Sequence, residues 1–189
     1  MEDKRLLFHV CCGPCSIALF EELKTAYTEV VAYFYNPNIH PEAEYIKRRD
    51  VVKQLCEKAG VPFIEGPYNK EHWFALTDAY KANNEGGARC KICFDMRLEE
   101  AMRYADEQKF DIVATSITSG RNKRADVINP LGNVWAETYG LTFLEADWKK
   151  GGRQEKGIQL AKEEDIYRQE YCGCIYSKLV REKKIKEKQ

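Results

Sequence analysis

Long apolar runs are missing from this sequence, and so is a secretory leader. No apolar stretch approaches the roughly 20 residues that a membrane-spanning helix needs. Residues 1–5 lack the basic start and the apolar core of a signal peptide. We therefore expect a cytoplasmic protein with no membrane partner. Because the cytoplasm keeps thiols reduced, the 8 cysteines of the chain favour metal binding or catalysis over disulfide bonds.

Net charge is also missing. The chain carries 30 Lys and Arg residues against 30 Asp and Glu residues, for a formal net charge of 0. The molecule as a whole therefore lacks the basic character that predicts nucleic-acid binding. The cations are unevenly placed, however, and a basic tail covers residues 178–189. We interpret this tail either as a solvated helix or as a local contact with RNA phosphates.

Hairpin signals are absent as well, although strand-like and helix-like segments alternate along the chain. Apolar runs predict five strands, near residues 6–10, 29–35, 61–64, 111–115 and 141–145. Amphipathic stripes between these runs predict helices. The alternation is typical of the α/β class with a doubly wound, mostly parallel sheet, in which ligand sites lie beyond the carboxyl ends of the strands.

The length of 189 residues suits a single domain. We predict an α/β core over about 5–148, cysteine-bearing helical segments over about 69–110 and 149–177, and the basic tail 178–189. The loop over residues 83–88 is interpreted as a local insertion within the first of these segments.

Three thiols follow the first predicted strand within five residues. Gly13 and Pro14 break the strand between Cys12 and Cys15, and an amphipathic helix is predicted to begin at once. Thiols at a helix N-terminus are favoured as thiolates, because the free N–H groups and the helix dipole stabilise negative charge. Cys11, Cys12 and Cys15 are therefore predicted to bind a soft metal, attack an electrophile or carry redox chemistry.

Four more cysteines form two pairs. Cys90 and Cys93 have the spacing of a shared metal centre at a helix start, and Cys172 and Cys174 are separated by one glycine. Together with the first three thiols they make seven sulfurs, more than one four-coordinate zinc requires. Such a set suits an iron–sulfur cluster with sulfurs left for a second metal or for redox work, and a structural zinc stays open as an alternative. Cys56 lies on an apolar stripe and is interpreted as core.

Three further segments carry candidate catalytic or substrate-binding groups. Asp147 follows the fifth predicted strand, where its carboxylate could act as an acid, bind a metal or cap a helix. The loop over residues 116–124 offers hydroxyls, a glycine and cations, a combination that suits anion binding at a helix N-terminus. Residues 167–171 interleave two tyrosines with Arg168, which suits stacking on bases and contact with phosphates, although ordinary amphipathicity also explains the pattern.

The three histidines carry weaker signals. His9 lies within the first predicted strand, so we interpret it as a core residue. His40 follows an Asn-Pro turn and could contact substrate, although a surface position is favoured. His72 is predicted to lie at the surface near a helix start.

Several of these motifs together resemble the QueH family of epoxyqueuosine reductases. The resemblance runs from about residue 5 to residue 177. It is carried by Cys11-Cys12-Gly13-Pro14-Cys15, by Cys90 and Cys93 followed by Arg97-Leu98, by Asp147-Trp148, and by Tyr167-Arg168-Gln169-x-Tyr171-Cys172-Gly173-Cys174-Ile175-Tyr176-Ser177.

The resemblance implies a cobalamin-independent reaction on tRNA. The family removes the epoxide oxygen from epoxyqueuosine at the wobble position, with two electrons and two protons, and leaves the alkene of queuosine and water. The implied fold is Rossmann-like and akin to the adenine nucleotide α-hydrolases. The implied cofactors are a [4Fe–4S] cluster and an adjacent iron bound partly by cysteine, and the implied partners are a tRNA carrying epoxyqueuosine and an unidentified electron donor.

The resemblance also implies roles for particular residues. The proton that the leaving oxygen needs is expected from Asp147, Tyr171 or water. The substrate contacts are expected from Arg97, Ser116, Arg121, Lys149 and Arg168. The expected metal ligands, with no sulfur assigned to a particular metal, are Cys11, Cys12, Cys15, Cys90, Cys93, Cys172 and Cys174.

Two alternatives from different classes stay open. One is an ATP-using tRNA thiolase of the PP-loop type, which shares the expected fold. Such enzymes need a Ser-Gly-Gly-x-Asp-Ser phosphate loop after the first strand, and here Cys-Cys-Gly-Pro-Cys-Ser stands in its place. The other is a zinc-stabilised RNA-binding module, which would be colourless and redox-silent.

Overall fold

A computed structural model of the chain describes residues 2–187 and contains one five-stranded sheet with helices around it. The strands are β1 (Glu2–His9), β2 (Tyr27–Phe34), β3 (Phe63–Glu65), β4 (Ile112–Thr115) and β5 (Thr142–Phe143). The helices are α1 (Gly13–Ala26), α2 (Glu42–Ala59), α3 (Lys70–Thr77), α4 (Ala88–Glu107), α5 (Ala125–Tyr139), α6 (Arg153–Glu163) and α7 (Ile175–Lys186).

All neighbouring strands run parallel, in the order β3-β2-β1-β4-β5. This arrangement confirms the predicted α/β class with a doubly wound, Rossmann-like sheet. The strand order reverses between β1 and β4, and open sheets of this kind bind ligands in the crevice at the carboxyl ends beside that point. The cysteine turn that follows β1 and the loop that follows β4 both lie at this switch point.

Two apolar layers cover the two faces of the sheet. Alternate residues of a strand point to opposite faces, so Leu6 and Phe8 pack with the residues of α1 and α2, whereas Leu7 packs with those of α4. Cys56 of α2 is fully buried in the first layer. The prediction that Cys56 belongs to the core is confirmed.

The helix boundaries follow local chemistry. Gly60 ends α2 in the left-handed conformation, with φ of 64°, as its position after the last apolar residue predicts. The segment 69–110 is mostly helical, as predicted, and the two helices α3 and α4 are separated by residues 78–87. Most of the basic tail belongs to α7, and residues 188 and 189 lie outside the described part of the chain. Within residues 2–187, none of the helices combines the length and the apolar character needed to cross a bilayer.

Candidate metal centre

Three sulfurs are gathered in the turn between β1 and α1. The Sγ atoms of Cys11, Cys12 and Cys15 all lie within 4.8 Å of one another, and those of Cys11 and Cys12 are 3.8 Å apart. Gly13 makes this turn possible, because a Cβ atom at that position would lie 2.8 Å from Cγ1 of Val51. Three soft ligands at these separations are compatible with a metal ion or an iron–sulfur cluster.

Hydrogen bonds from outside the turn hold this triad. The Ser116 hydroxyl, at the end of β4, accepts from the backbone N–H of Cys11 at 3.1 Å and donates to its Sγ at 3.4 Å. The side-chain amide of Gln169 donates to Cys12 Sγ at 2.9 Å. Hydrogen bonds with Cys12 and Cys15 hold the pKa of Cys11 well below its usual range, and the same contacts raise the pKa values of the other two thiols. Of the three thiols, Cys11 is therefore the one whose ionised form these contacts favour.

The remaining four candidate cysteines form a second group. Cys90 Sγ accepts from the backbone N–H of Gly86 at 3.2 Å. Burial raises the pKa of Cys93 to about 11, and the charges of Cys172 and Cys174 add to this rise, which places these side chains near one another. Among the residues that the structure describes, only the Cys11 triad brings three such ligand atoms within 4.8 Å. The second group is thus assembled more loosely than the first.

Each of the three cysteine segments lies at a helix N-terminus. Cys12 is the N-cap of α1, Cys90 lies in the first turn of α4, and Cys174 is the N-cap of α7. The Cys174 sulfur accepts from the Ser177 backbone N–H at 3.4 Å. Because the N-terminal end of a helix carries partial positive charge, all three placements favour thiolates, the form of cysteine that binds metals.

Arg97 joins the two cysteine groups. Its side chain is buried, at 4% relative exposure, and its Nη2 donates to Oδ1 of Asn36 at 2.5 Å and lies 3.5 Å from Nε2 of His9. No carboxylate pairs with it among residues 2–187. Its charge lowers the pKa of Cys11 and opposes the rise at Cys93. The positive charge of Arg97 therefore favours the thiolate form of Cys11 and of Cys93.

A second buried arginine anchors the last cysteine segment. Arg48 on α2 is 2% exposed, and its Nε pairs with Glu44 at 2.7 Å. Its other two nitrogens donate to the backbone oxygens of Cys172 and Tyr171, both at 3.1 Å. Sequence analysis missed this residue, although Arg48 lies four positions before Val52 on the apolar stripe of α2, where a charged side chain is out of place.

Replacing Arg48 with methionine should destabilise the protein by about 3 kcal/mol, because the change leaves the partly buried Glu44 carboxylate without its cation and two carbonyl oxygens without their donor. For a chain of this length the loss corresponds to a fall of roughly 6–12 °C in melting temperature. Calorimetry on the anaerobically purified protein measures it. Arg49→Met on the same helix, at a more exposed position, serves as the control. Equal melting temperatures for the two variants would contradict the anchoring role.

The family model described as "Epoxyqueuosine reductase QueH" matches residues 6–179. The chain belongs to the QueH family. A QueH relative named "Epoxyqueuosine reductase QueH", from Histophilus somni (strain 129Pt), is 40% identical over 174 residues, which cover 92% of this chain and 72% of the relative. A relative with the same name from Thermotoga maritima is 34% identical over 96% of this chain and 94% of its own length.

One solved structure with a related sheet is the U34-tRNA thiolase NcsA from Methanococcus maripaludis with its [4Fe-4S] cluster. It is 12% identical, covers 86% of this chain and 66% of its own, and superposes with a TM-score of 0.46. That similarity is too weak to support an argument about the QueH chain. The family assignment therefore depends on the sequence relatives alone.

Two candidate residues of this QueH family member are tied to each other. Lys149 Nζ lies 2.8 Å from Asp147 Oδ1 and donates to the backbone oxygens of Thr118 and Lys123 at 3.0 and 2.6 Å. Its three N–H donors are thus engaged, and a substrate contact by Lys149 would break one of these bonds. The hydrogen bond from Lys149 lowers the pKa of Asp147, so the carboxyl is ionised near neutral pH. The role of Asp147 as a proton donor stays a prediction, and this ionisation opposes it.

The other predicted contacts of the QueH chain divide into engaged and free groups. The Ser116 hydroxyl is already engaged in hydrogen bonds with the backbone N–H and the Sγ of Cys11. The Tyr171 hydroxyl donates to the backbone oxygen of His40 at 2.5 Å, and burial raises the pKa of this phenol to about 12. Arg121 and Arg168 are exposed and make no hydrogen bond or ion pair within residues 2–187. These two arginines are available to an incoming polyanion.

The histidine predictions met mixed outcomes. His9 is fully buried at the end of β1, and burial lowers its pKa to about 3, so its ring is neutral. His72 is exposed, as predicted. The surface position favoured for His40 is wrong, because its ring packs between Trp73 and Phe74, with ring centroids 4.9 and 4.7 Å away. The aromatic side chains of α3 cover this loop residue, and no local sequence pattern reports such a contact.

Proposed function

We propose that this chain is an epoxyqueuosine reductase that acts on tRNA in the cytoplasm. It would remove the epoxide oxygen of epoxyqueuosine at the wobble position, with two electrons and two protons, and leave the alkene of queuosine and water. The close sulfur triad of Cys11, Cys12 and Cys15, at the switch point of the sheet of a QueH family member, is the observation that supports this best.

The residues present fit an iron–sulfur cluster and an additional iron. The chain offers seven thiols in two groups, with Arg97 buried between them as a counter-charge for anionic sulfur. We propose that the pool that holds the metals is Cys11, Cys12, Cys15, Cys90, Cys93, Cys172 and Cys174. When bound, these groups would supply single-electron transfer and a Lewis acid for the epoxide oxygen. The electrons would come from a donor protein or small reductant of the cytoplasm.

Proton supply is the step that the protein's own side chains can perform. Tyr171 keeps its proton near neutral pH, because burial raises the pKa of the phenol, and it directly precedes Cys172. Asp147 is already ionised by its contact with Lys149. We therefore favour the Tyr171 hydroxyl over Asp147 as the proton donor to the leaving oxygen, a role in which it would exchange its bond to the His40 backbone oxygen for one to the substrate.

Replacing Tyr171 with phenylalanine should slow single turnover by about 100-fold, the usual contribution of a general acid. Asp147→Asn should leave the rate within about twofold, because an ionised carboxylate gives no proton. Anaerobic single-turnover assays on epoxyqueuosine tRNA measure both rates, with iron and sulfide determined on each sample. A slow Asp147→Asn variant with full metal content would reverse the assignment.

Several exposed cations suit a tRNA backbone. Arg121 and Arg168 are exposed, and α7 presents Lys183, Lys184 and Lys186. Changing these three lysines to glutamine should reduce the slope of log affinity against log salt by about 0.7–0.9 for each lost phosphate contact. Fluorescence anisotropy with labelled tRNA at several salt concentrations measures this slope.

A matched triple variant changes lysines at the opposite end of the sheet, near the amino ends of the strands: Lys4, Lys24 and Lys109. We expect it to leave the salt slope of tRNA binding unchanged. The same slope for both triple variants would remove α7 from the proposed tRNA surface.

The experiment that tests the function begins with purification in the absence of oxygen. We expect more than four irons per chain with about four sulfides and a broad visible absorbance that bleaches with dithionite, followed by conversion of epoxyqueuosine to queuosine in tRNA. A single zinc without sulfide, and no conversion, would overturn the proposal in favour of a zinc-stabilised RNA-binding module. A melting temperature raised by ATP would instead favour a thiolase.

A further inference from the structure

Two of the buried polar side chains near the second cysteine group have atoms without partners. Asn38 and His40 are 3% and 5% exposed. Within residues 2–187, Oδ1 of Asn38 and both ring nitrogens of His40 make no hydrogen bond. The Trp73 indole beside them is fully buried and lies against the Cys93 thiol, whose pKa it lowers. Buried polar atoms in folded proteins nearly always have partners, because leaving them unpaired is costly. Three unpaired atoms in one region indicate that a polar partner binds there.

The three side chains form one patch against the cysteine segment. The rings of His40 and Trp73 are 4.9 Å apart. The backbone N–H of His40 donates to the Gly173 oxygen at 2.8 Å, and a Cβ atom at Gly173 would lie 3.4 Å from Nδ2 of Asn38. On the other side, the Trp73 indole lowers the pKa of Cys93. The patch therefore borders both cysteine pairs of the second group.

The chemistry of the patch selects a neutral partner. Burial, with a contribution from the charge of Lys70, lowers the pKa of His40 to about 4, so the ring is neutral near pH 7. A neutral imidazole offers one donor and one acceptor, and the free Asn38 oxygen offers a second acceptor. Hydroxyl groups can both donate and accept, whereas a phosphate would require cations or several donors. The free donor and acceptors of the patch therefore match the hydroxyl groups of a ligand.

We propose that His40, together with Asn38, binds the neutral, hydroxyl-bearing part of the substrate nucleoside beside Trp73 and the second cysteine group. This inference rests on the proposed function and adds the residues that recognise the substrate. The hydroxyls can come from the modified part of the base or from the ribose of the same nucleotide. His40 contacts the substrate, and no proton transfer is assigned to it.

His40→Phe is the main test, because it keeps a ring between Trp73 and Phe74 and removes both nitrogens. Metal content, kcat, KM and the Kd for tRNA are measured for the wild type and the variant. Each Kd is determined for tRNA with epoxyqueuosine and for the same tRNA with guanosine at that position. We expect unchanged iron and sulfide and about tenfold weaker binding of the modified tRNA, the loss of one or two hydrogen bonds.

The two tRNAs separate the possible sources of the hydroxyls. Weakening confined to the epoxyqueuosine tRNA supports the proposal and assigns the contact to the modified base. Equal weakening for both tRNAs supports it and assigns the contact to the ribose. Unchanged Kd and KM would overturn it, and so would loss of iron, because iron loss would make His40 part of the metal centre.

Two further variants keep the test decisive if His40→Phe does not fold. His40→Gln retains one donor and one acceptor and should recover part of the lost affinity. Asn38→Leu should weaken binding of the same tRNA that His40→Phe affects. The matched control is His72→Phe, an exposed position on α3 that should change nothing. Wild-type turnover tests the proposed function separately, since a wild type that converts no epoxyqueuosine fails whatever the variants bind.

Discussion

Cys11→Ala should abolish the metal centre and lower turnover of epoxyqueuosine tRNA by at least about 100-fold, more than the loss of an outer-shell partner usually costs. Cys11 is the thiol of the triad whose pKa is held lowest, through its contacts with Cys12 and Cys15. Its Sγ also accepts a hydrogen bond from the Ser116 hydroxyl. Its removal leaves only two sulfurs in the turn. Iron and sulfide per chain, and the visible spectrum of the anaerobic protein, report the loss.

The matched control for this variant is Cys56→Ala. Cys56 is fully buried in the layer between α2 and the sheet, and burial raises the pKa of its thiol to about 12. Its replacement should cost about 1 kcal/mol of stability or slightly more through the small cavity it leaves, with metal content and turnover intact. Full metal loading in the Cys11 variant, or loss of metal in the Cys56 variant, would contradict the assignment of the triad.

Arg97→Met should lower the affinity for the metals by about tenfold or more, the usual effect of losing a residue that interacts with the metal ligands. The guanidinium is buried and pairs with no carboxylate of residues 2–187, and its charge lowers the pKa of Cys11. Without that charge the thiols of the metal-free protein should ionise at higher pH. A bound cluster should also become harder to reduce, since a nearby positive charge favours the added electron.

The rate of iron loss to a chelator, the pH at which thiolate absorbance develops in the metal-free protein, and a redox titration of the loaded protein measure these three effects. Arg103→Met on the same helix is the control, because Arg103 is much more exposed than Arg97 and pairs with Glu100 and Glu107. Arg97→Lys should fall between Arg97→Met and the wild type. If both methionine variants lose iron at the wild-type rate, Arg97 has no electrostatic role at the centre.

The parallel sheet was predictable because its signals are local. Apolar runs at strand length, separated by helical stripes and without hairpin turns, leave few other architectures. The cysteine turn was also predictable, because Gly13 and Pro14 stand between a strand and a helix, which places the thiols at a carboxyl edge. The strand order and the resulting switch point between β1 and β4 depend on contacts between distant segments, which no sequence window contains.

Sequence analysis placed His9 in the core but missed the burial of other polar residues. Arg48 looks like an ordinary helix-surface cation, and Arg97 was expected to contact substrate, although both are buried in the structure. A clue exists, since both arginines fall on the apolar stripes of their helices. His40 offers no such clue, because it lies in a loop and its burial comes from α3. Polar groups inside a fold are specified by their partners, and those partners are distant in sequence.

The separation of the second cysteine group along the chain bears on how the protein is made. Cys90 and Cys93 leave the ribosome well before Cys172 and Cys174, whereas the whole first triad and Arg97 belong to the earlier part of the chain. Because chains fold from the N-terminal end during synthesis, the three thiols of the triad can come together on a nascent chain before Cys172 and Cys174 have been synthesised. A chain interrupted after α6 then carries all three sulfurs of the triad but lacks Gln169, which donates to Cys12 Sγ, and it carries only one thiol pair of the second group.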